Sequence, residues 1–160
     1  MADSSLDLLI FRSLPNYEQK FELIDFMVIV ENKRRSSLGA GWRSDGSEHP
    51  ILSEATIKIK TNDEIFHTAA EGNGPVGALD NAIRKALIGT FPEINKIRLT
   101  DYAVRVVEEG TGTGAVVRVI IESSDEKEVW TTVGASSNII EATWIALSDS
   151  IEWFLINNSS

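Results

Sequence analysis

The sequence predicts an α+β fold made of two repeated βββα units, most simply a sheet with both helices packed on one face. Three observations carry that prediction. Ala55–Leu79 returns as Val117–Ala142 at an offset of roughly 62–63 residues, long enough for a complete supersecondary unit. Upstream, Asp25-Phe-Met-Val-Ile-Val-Glu31 is echoed by Asp101-Tyr-Ala-Val-Arg-Val-Val-Glu108. Each copy then passes from strand-like alternation, through a Gly-rich corner, into an apolar stripe at helical spacing.

The elements follow in order. Residues 3 to 22 read as a short helix and a linker, with Leu6, Leu9 and Ile10 on one small apolar stripe and Leu14-Pro15-Asn16 as a stop. Leu23–Glu31 is almost continuously apolar and β-branched toward its end, as in a strand covered on much of its surface. Asn32–Pro50, with Gly39, Gly41, Gly46 and Pro50 among polar residues, reads as a long loop carrying Trp42. Ala55–Lys60 alternates, with Ile57 and Ile59 on one face, and Thr61-Asn62-Asp63-Glu64 turns the chain into Ile65–Ala70.

Pro75 suits a first helical position because its missing N–H has no partner there in any case. Val76, Leu79, Ile83 and Leu87 then share one face, Asp80, Asn81, Arg84 and Lys85 lie away from it, and Gly89 is the expected stop. The second copy runs through Ile97–Glu108, a turn at Gly110–Gly114, Val116–Glu122, a turn at Ser123–Lys127 and Val129–Gly134. Its helix is expected to start near Asn138, with Glu141 completing a capping box, and to bury Ile140, Trp144, Leu147, Ile151 and Phe154.

Composition narrows the function. A chain of 160 residues, 42% hydrophobic and 24% charged, is an ordinary globular domain. The absence of cysteine excludes disulfides, thiol catalysis and thiolate metal sites, and fits a cytoplasmic protein. A net charge of -9 repels phosphate backbones, and Lys33-Arg34-Arg35 is a short basic run, so no nucleic-acid partner is expected. No apolar stretch is long enough to span a membrane, and the first residues lack the basic and apolar regions of a secretion signal.

The inventory of reactive groups is thin. His49 and His67 have no second His or carboxylate at ligand spacing, and the carboxylates gather in turns, so no catalytic residue, metal site or cofactor is expected. What remains are the two corners, Glu71-Gly72-Asn73-Gly74-Pro75 and Gly134-Ala135-Ser136-Ser137-Asn138. Free N–H groups at a helix start favour a carboxylate, and small residues let a ligand approach the backbone. Such corners also need Gly, Ser and Asn for folding alone.

Residues Phe21–Glu31, His67–Pro75 with Ala78-Leu79, Ile97–Tyr102 and Val133–Ala142 together resemble the C-terminal regulatory domain of the 2-isopropylmalate synthase family. The Thr68-Ala-Ala-Glu71 lead-in and the Thr132-Val-Gly-Ala-Ser136 corner favour its (R)-citramalate synthase branch. The resemblance implies residues 1–22 as the remnant of a linker and 23–160 as a regulatory domain, with repeats at 23–90 and 95–157. It implies a homodimer, attached to a separate metal-dependent barrel that condenses acetyl-CoA with pyruvate, so that this piece has no catalysis of its own. It also implies feedback inhibition by isoleucine, or by leucine in the isopropylmalate branch. The effector site carried over in this way comprises Asn73, Gly74, Val76 and Gly77, then Leu99, Asp101, Tyr102 and Val106, then Ser136, Ser137 and Asn138. The rival reading is a dimerisation scaffold without a ligand.

Overall fold

The computed structural model describes residues 4–31, 52–108 and 115–158. The expected loop 32–50, with Trp42 and His49, and the turn 110–114 lie outside the described residues. The elements run α1 (Ser4–Arg12), β1 (Glu22–Glu31), β2 (Leu52–Thr61), β3 (Glu64–Gly72), α2 (Pro75–Leu87), a 3₁₀ turn (Pro92–Lys96), β4 (Arg98–Glu108), β5 (Ala115–Ser124), β6 (Val129–Ser136) and α3 (Ile139–Asn158).

Both βββα units are present, and their strands divide into two antiparallel three-stranded sheets, β1-β2-β3 and β4-β5-β6. The outer strands explain why the sheets stay separate at that side. Asn81 and Lys85 of α2 donate to the β3 carbonyls of Glu71 and Ala69, at 3.0 and 3.2 Å. On β6, the Val133 N–H donates to Ser5 Oγ of α1 at 2.9 Å. Polar side chains thus occupy edge groups that another strand would otherwise pair.

The duplication extends to irregularities. The ladder of β1 with β2 slips between Leu23 and Asp25, and that of β4 with β5 slips between Leu99 and Asp101. At each slip the aspartate Oδ1 accepts the next residue's N–H at 2.9 Å, from Phe26 and from Tyr102. The hairpin loops differ by two residues, with two between Thr61 and Glu64 and four between Ser124 and Val129. Asn62 and Asp63 both have positive φ (50° and 63°), which suits a two-residue turn matched to strand twist. In the second hairpin Asp125 Oδ1 accepts the N–H groups of Lys127 and Glu128 at 3.1 and 2.8 Å, and Glu126 takes φ 81°.

Each helix covers one face of its own sheet, α2 on β2 and β3 and α3 on β5 and β6, and the helices touch one another. The residues Val76, Leu79, Ile83 and Leu87 are buried as the periodicity requires, together with Trp144, Leu147, Ile151 and Phe154. A single core joins the units, and the ring of Phe21 meets Trp144 edge-on at 6.4 Å. Each fully buried Ile or Leu contributes about 1.5–3 kcal/mol, so this shared core is the main term holding the units together.

Four local expectations change. Asp80 is buried rather than turned to solvent, held by Arg84 Nε at 3.0 Å. Gly89 has no left-handed backbone; α2 ends instead with the N–H groups of Thr90 and Phe91 turned back onto the Leu87 carbonyl. Glu141 does not close a capping box, because Ser136 Oγ takes the Asn138 N–H at 3.1 Å. In α1 it is Leu8 that is buried, whereas Leu6, Leu9 and Ile10 point outward.

Candidate functional site

The two strand-to-helix corners are built differently. Gly134, Ala135 and Ser136 belong to β6, so the second corner shrinks to Ser137 and Asn138. Asn138 Oδ1 accepts the N–H groups of Ile140 and Glu141 at 2.8 and 3.4 Å, which satisfies the start of α3 from within the chain. At the first corner, Gly74 stands at the cap position of α2 and no side chain among the described residues caps it. Pro75 has no N–H, so Val76 and Gly77 present the free donors and the positive end of the helix dipole.

The glycines divide the same way. A Cβ on Gly72 would lie 2.3 Å from the Ala78 nitrogen, and one on Gly134 would lie 2.0 Å from the Ala142 oxygen. These two let a helix sit close on its strand. Gly74 and Gly77 have open space where a Cβ would stand, so their bareness leaves the α2 start accessible.

The remaining sequence-derived positions fall into three groups. Val76 is buried and Leu99 packs against the core. Asp101 is exposed, its Oδ1 engaged by the Tyr102 N–H, and Ser136 and Asn138 are engaged in the α3 cap. Asn73 and Ser137 are exposed. Tyr102 and Val106 are open as well, at 54% and 65% exposure, with Val104 between them at 41%.

Register shows why these three form one surface. Tyr102, Val104 and Val106 pair with Ile121, Val119 and Val117, whose side chains face α3. They therefore lie on the helix-covered face of their sheet, but on the outermost strand, beyond the reach of the helix. Val106, Val117 and Ser136 form one row across β4, β5 and β6, which brings the far end of β4 level with the second corner. The α2 start belongs to the other sheet, and among the described residues no strand ladder joins that sheet to β4. A shallow hollow of about 210 Å³ bounded by Gln19–Glu22 and Lys60–Asp63, and another of about 180 Å³ beside Arg84, Ile88 and Ile94, contain none of the expected site residues.

Sequence reasoning missed a polar cluster under α1. Arg12 donates to Asp149 Oδ1 at 2.8 Å and Glu152 Oε2 at 2.5 Å, and the Tyr17 hydroxyl donates to the other oxygen of Glu152. Burial pushes the Asp149 carboxyl above the ordinary range, against the opposing pull of Arg12. Burial works against the Arg12 charge too, but the hydrogen bonds and negative charges of Glu152 and Asp149 together outweigh it and raise that pKa. The available signal was two carboxylates three apart in the middle of a mostly apolar helix, which need a cation brought from elsewhere. Among the described residues no group of His, Asp and Glu is arranged to hold a metal ion. No described helix is long and apolar enough to cross a membrane.

Comparison with known proteins supplies the family. A family profile described as the LeuA allosteric (dimerisation) domain matches residues 1–155. The chain is 45% identical over 154 residues to an (R)-citramalate synthase of Geobacter sulfurreducens, covering 96% of this chain and 27% of that protein. It is 42% identical over 157 residues to an (R)-citramalate synthase of Aquifex aeolicus, covering 98% of this chain and 28% of that one. A 2-isopropylmalate synthase of Halothermothrix orenii is 27% identical over 154 residues, at 94% and 28% coverage. The chain thus spans little more than a quarter of the length of these relatives. Its duplicated βββα units and the match along almost the whole chain place it in the LeuA allosteric (dimerisation) domain family.

Proposed function

We propose that this chain is the amino-acid-sensing, dimer-forming domain of a cytoplasmic citramalate synthase, an acyltransferase joining acetyl-CoA to pyruvate, and that isoleucine is the feedback inhibitor it binds. The observation carrying the effector reading is the start of α2, where Val76 and Gly77 offer N–H groups that no side chain among the described residues caps. An amino-acid carboxylate suits those donors. In this reading Asn73 and Asp101 meet the ammonium group, and Tyr102 and Val106 supply an apolar wall. Since the α2 start and the β4 face lie on separate sheets, a second copy of the chain covers the exposed residues Tyr102, Val104 and Val106. Residues 1–22 act as the link to the catalytic part, and the domain uses no cofactor.

The choice of isoleucine over leucine rests on the citramalate synthases among the relatives. One methyl group shifts binding by only about 1–3 kcal/mol. Thermal melts with isoleucine, leucine, valine and pyruvate test the reading. A ligand at about 100 times its dissociation constant adds about 2.7 kcal/mol. Gly74→Val and Tyr102→Ala are expected to abolish that response while the protein stays folded. Absence of a shift with every branched-chain amino acid overturns the effector reading.

A ligand-free scaffold is favoured by a separate observation. The α3 cap is already filled by Asn138, and Gly72 and Gly134 are required for packing. On that reading the two variants change stability and nothing else.

A further inference from the structure

We propose that residues 4–17 form a strap whose docking is coupled to the β6–α3 corner, so that ordering of the corner and ordering of the strap rise and fall together. The link to an effector rests on the sensing function proposed above; the strap itself rests on geometry alone.

The strap grips both sides of that corner. Ser5 Oγ accepts the N–H of Val133 in β6, shortly before Ser136, whose hydroxyl accepts the Asn138 N–H at the helix start. Farther along, Arg12 bridges Asp149 and Glu152 of α3, and Tyr17 bonds Glu152 as well. A displacement of β6 relative to α3 therefore cannot preserve all these bonds at once.

The attachment is also weak in apolar contact. Leu8 is fully buried, but Leu6, Leu9 and Ile10 are 58%, 63% and 55% exposed. Ser4 Oγ is buried with no partner among the described residues, which opposes docking. A helix of 9 residues is marginal alone, so undocking of α1 amounts to its unfolding. The Arg12 bridge then decides the balance. Removing Arg12 leaves two largely buried carboxylates facing each other without a cation, and release of the strap returns them to water.

Amide hydrogen exchange on the 160-residue protein reads this directly. Arg12→Gln is expected to speed exchange across residues 4–17 by about tenfold or more, with the amides of β2 and β5 unchanged. Coupling requires a second change: the amides of Asn138, Ile140 and Glu141, which bond to Ser136 and Asn138 rather than to the strap, also exchange faster. Glu152→Gln, which keeps one of the two acceptor oxygens used by Arg12 and Tyr17 and leaves Asp149 in place, is expected to give a smaller effect in the same places. Unchanged exchange at 4–17 in Arg12→Gln overturns the strap. Faster exchange at 4–17 with no change at 138–141 overturns the coupling and leaves α1 as passive cladding. If isoleucine or leucine shifts the melting point, it is expected to change exchange at 4–17 in the parent protein but not in Arg12→Gln; a melting shift without that change also overturns the coupling. Failure of any amino acid to shift melting sinks the sensing function instead, while the Arg12→Gln measurements still decide the strap.

Discussion

The helices α2 and α3 hold the same place in the two units, yet one is 13 residues long with a polar outer face and the other is 20 residues long and buried almost all round. Their inner seams are alike. Thr68 Oγ1 donates to the Ala82 carbonyl and Thr132 Oγ1 to the Ala146 carbonyl, both at 2.8 Å. Their outer faces diverge because α1 packs on α3 and on β6. A duplicated unit keeps the contact between its own strand and helix, while the outer surface follows whatever lies next to it.

The largest expected break in this symmetry is at the aromatic position of β3 and β6. Trp130 is buried, stacks on Trp153 and Phe154 at 4.9 and 5.9 Å, and donates Nε1–H to Ser150 Oγ at 3.0 Å. Phe66, in the matching strand, is only partly buried. Trp130→Ala is expected to cost about 4 kcal/mol in urea unfolding, and Phe66→Ala clearly less. Equal costs would mean that the two units share their core evenly.

Glycines sharpen the comparison next. Gly134→Ala sets a Cβ against backbone of α3 and is expected to destabilise by about 3 kcal/mol. Gly77→Ala, in open space within α2, is expected to stabilise by about 0.5–1 kcal/mol. The same denaturant series reads both signs.

Caps come third. Asn138→Ala removes the acceptor for Ile140 and Glu141 and is expected to cost about 1 kcal/mol, whereas Gly74→Asn supplies a cap to α2 and gains a few tenths, ~0.3 kcal/mol. If the α2 donors hold an amino acid, the Gly74→Asn gain is accompanied by a weaker thermal response to that ligand.

The smallest effect is a pH dependence at Asp80. Burial raises its carboxyl pKa above the usual 3.8, and the charge and hydrogen bond of Arg84 only partly offset this. The folded state therefore holds the proton more tightly than the unfolded state, and the stability from Asp80 falls as pH rises through the raised value. The unfolding midpoint of Asp80→Asn is expected to gain on the parent as pH rises above the ordinary carboxylate value of 3.8. A gain in the opposite direction would mean that Arg84 outweighs burial.

Much of the architecture was legible because it rests on local pattern. Ile57 and Ile59 alternate with Thr and Lys, and both are fully buried; the run Val76, Leu79, Ile83 and Leu87 repeats at helical spacing and lines α2. Within the candidate site, the openness of Gly74 and the exposure of Tyr102 and Val106 were not legible, since both depend on how far a helix reaches across a sheet. The role of Gly72 and Gly134 was hidden for the same reason. A glycine needed for close packing and one needed for access look identical until the opposing backbone is in place.

Sequence alone therefore determined the two βββα units, the turn at Asn62-Asp63 and the apolar faces of α2 and α3, because periodicity and turn chemistry act between residues close along the chain. Tertiary structure decided the division into two sheets, the filling of the α3 cap and the union of Arg12 with Asp149 and Glu152. Those outcomes depend on groups far apart in sequence competing for the same edge, the same amide or the same charge, and only the folded chain brings the competitors together.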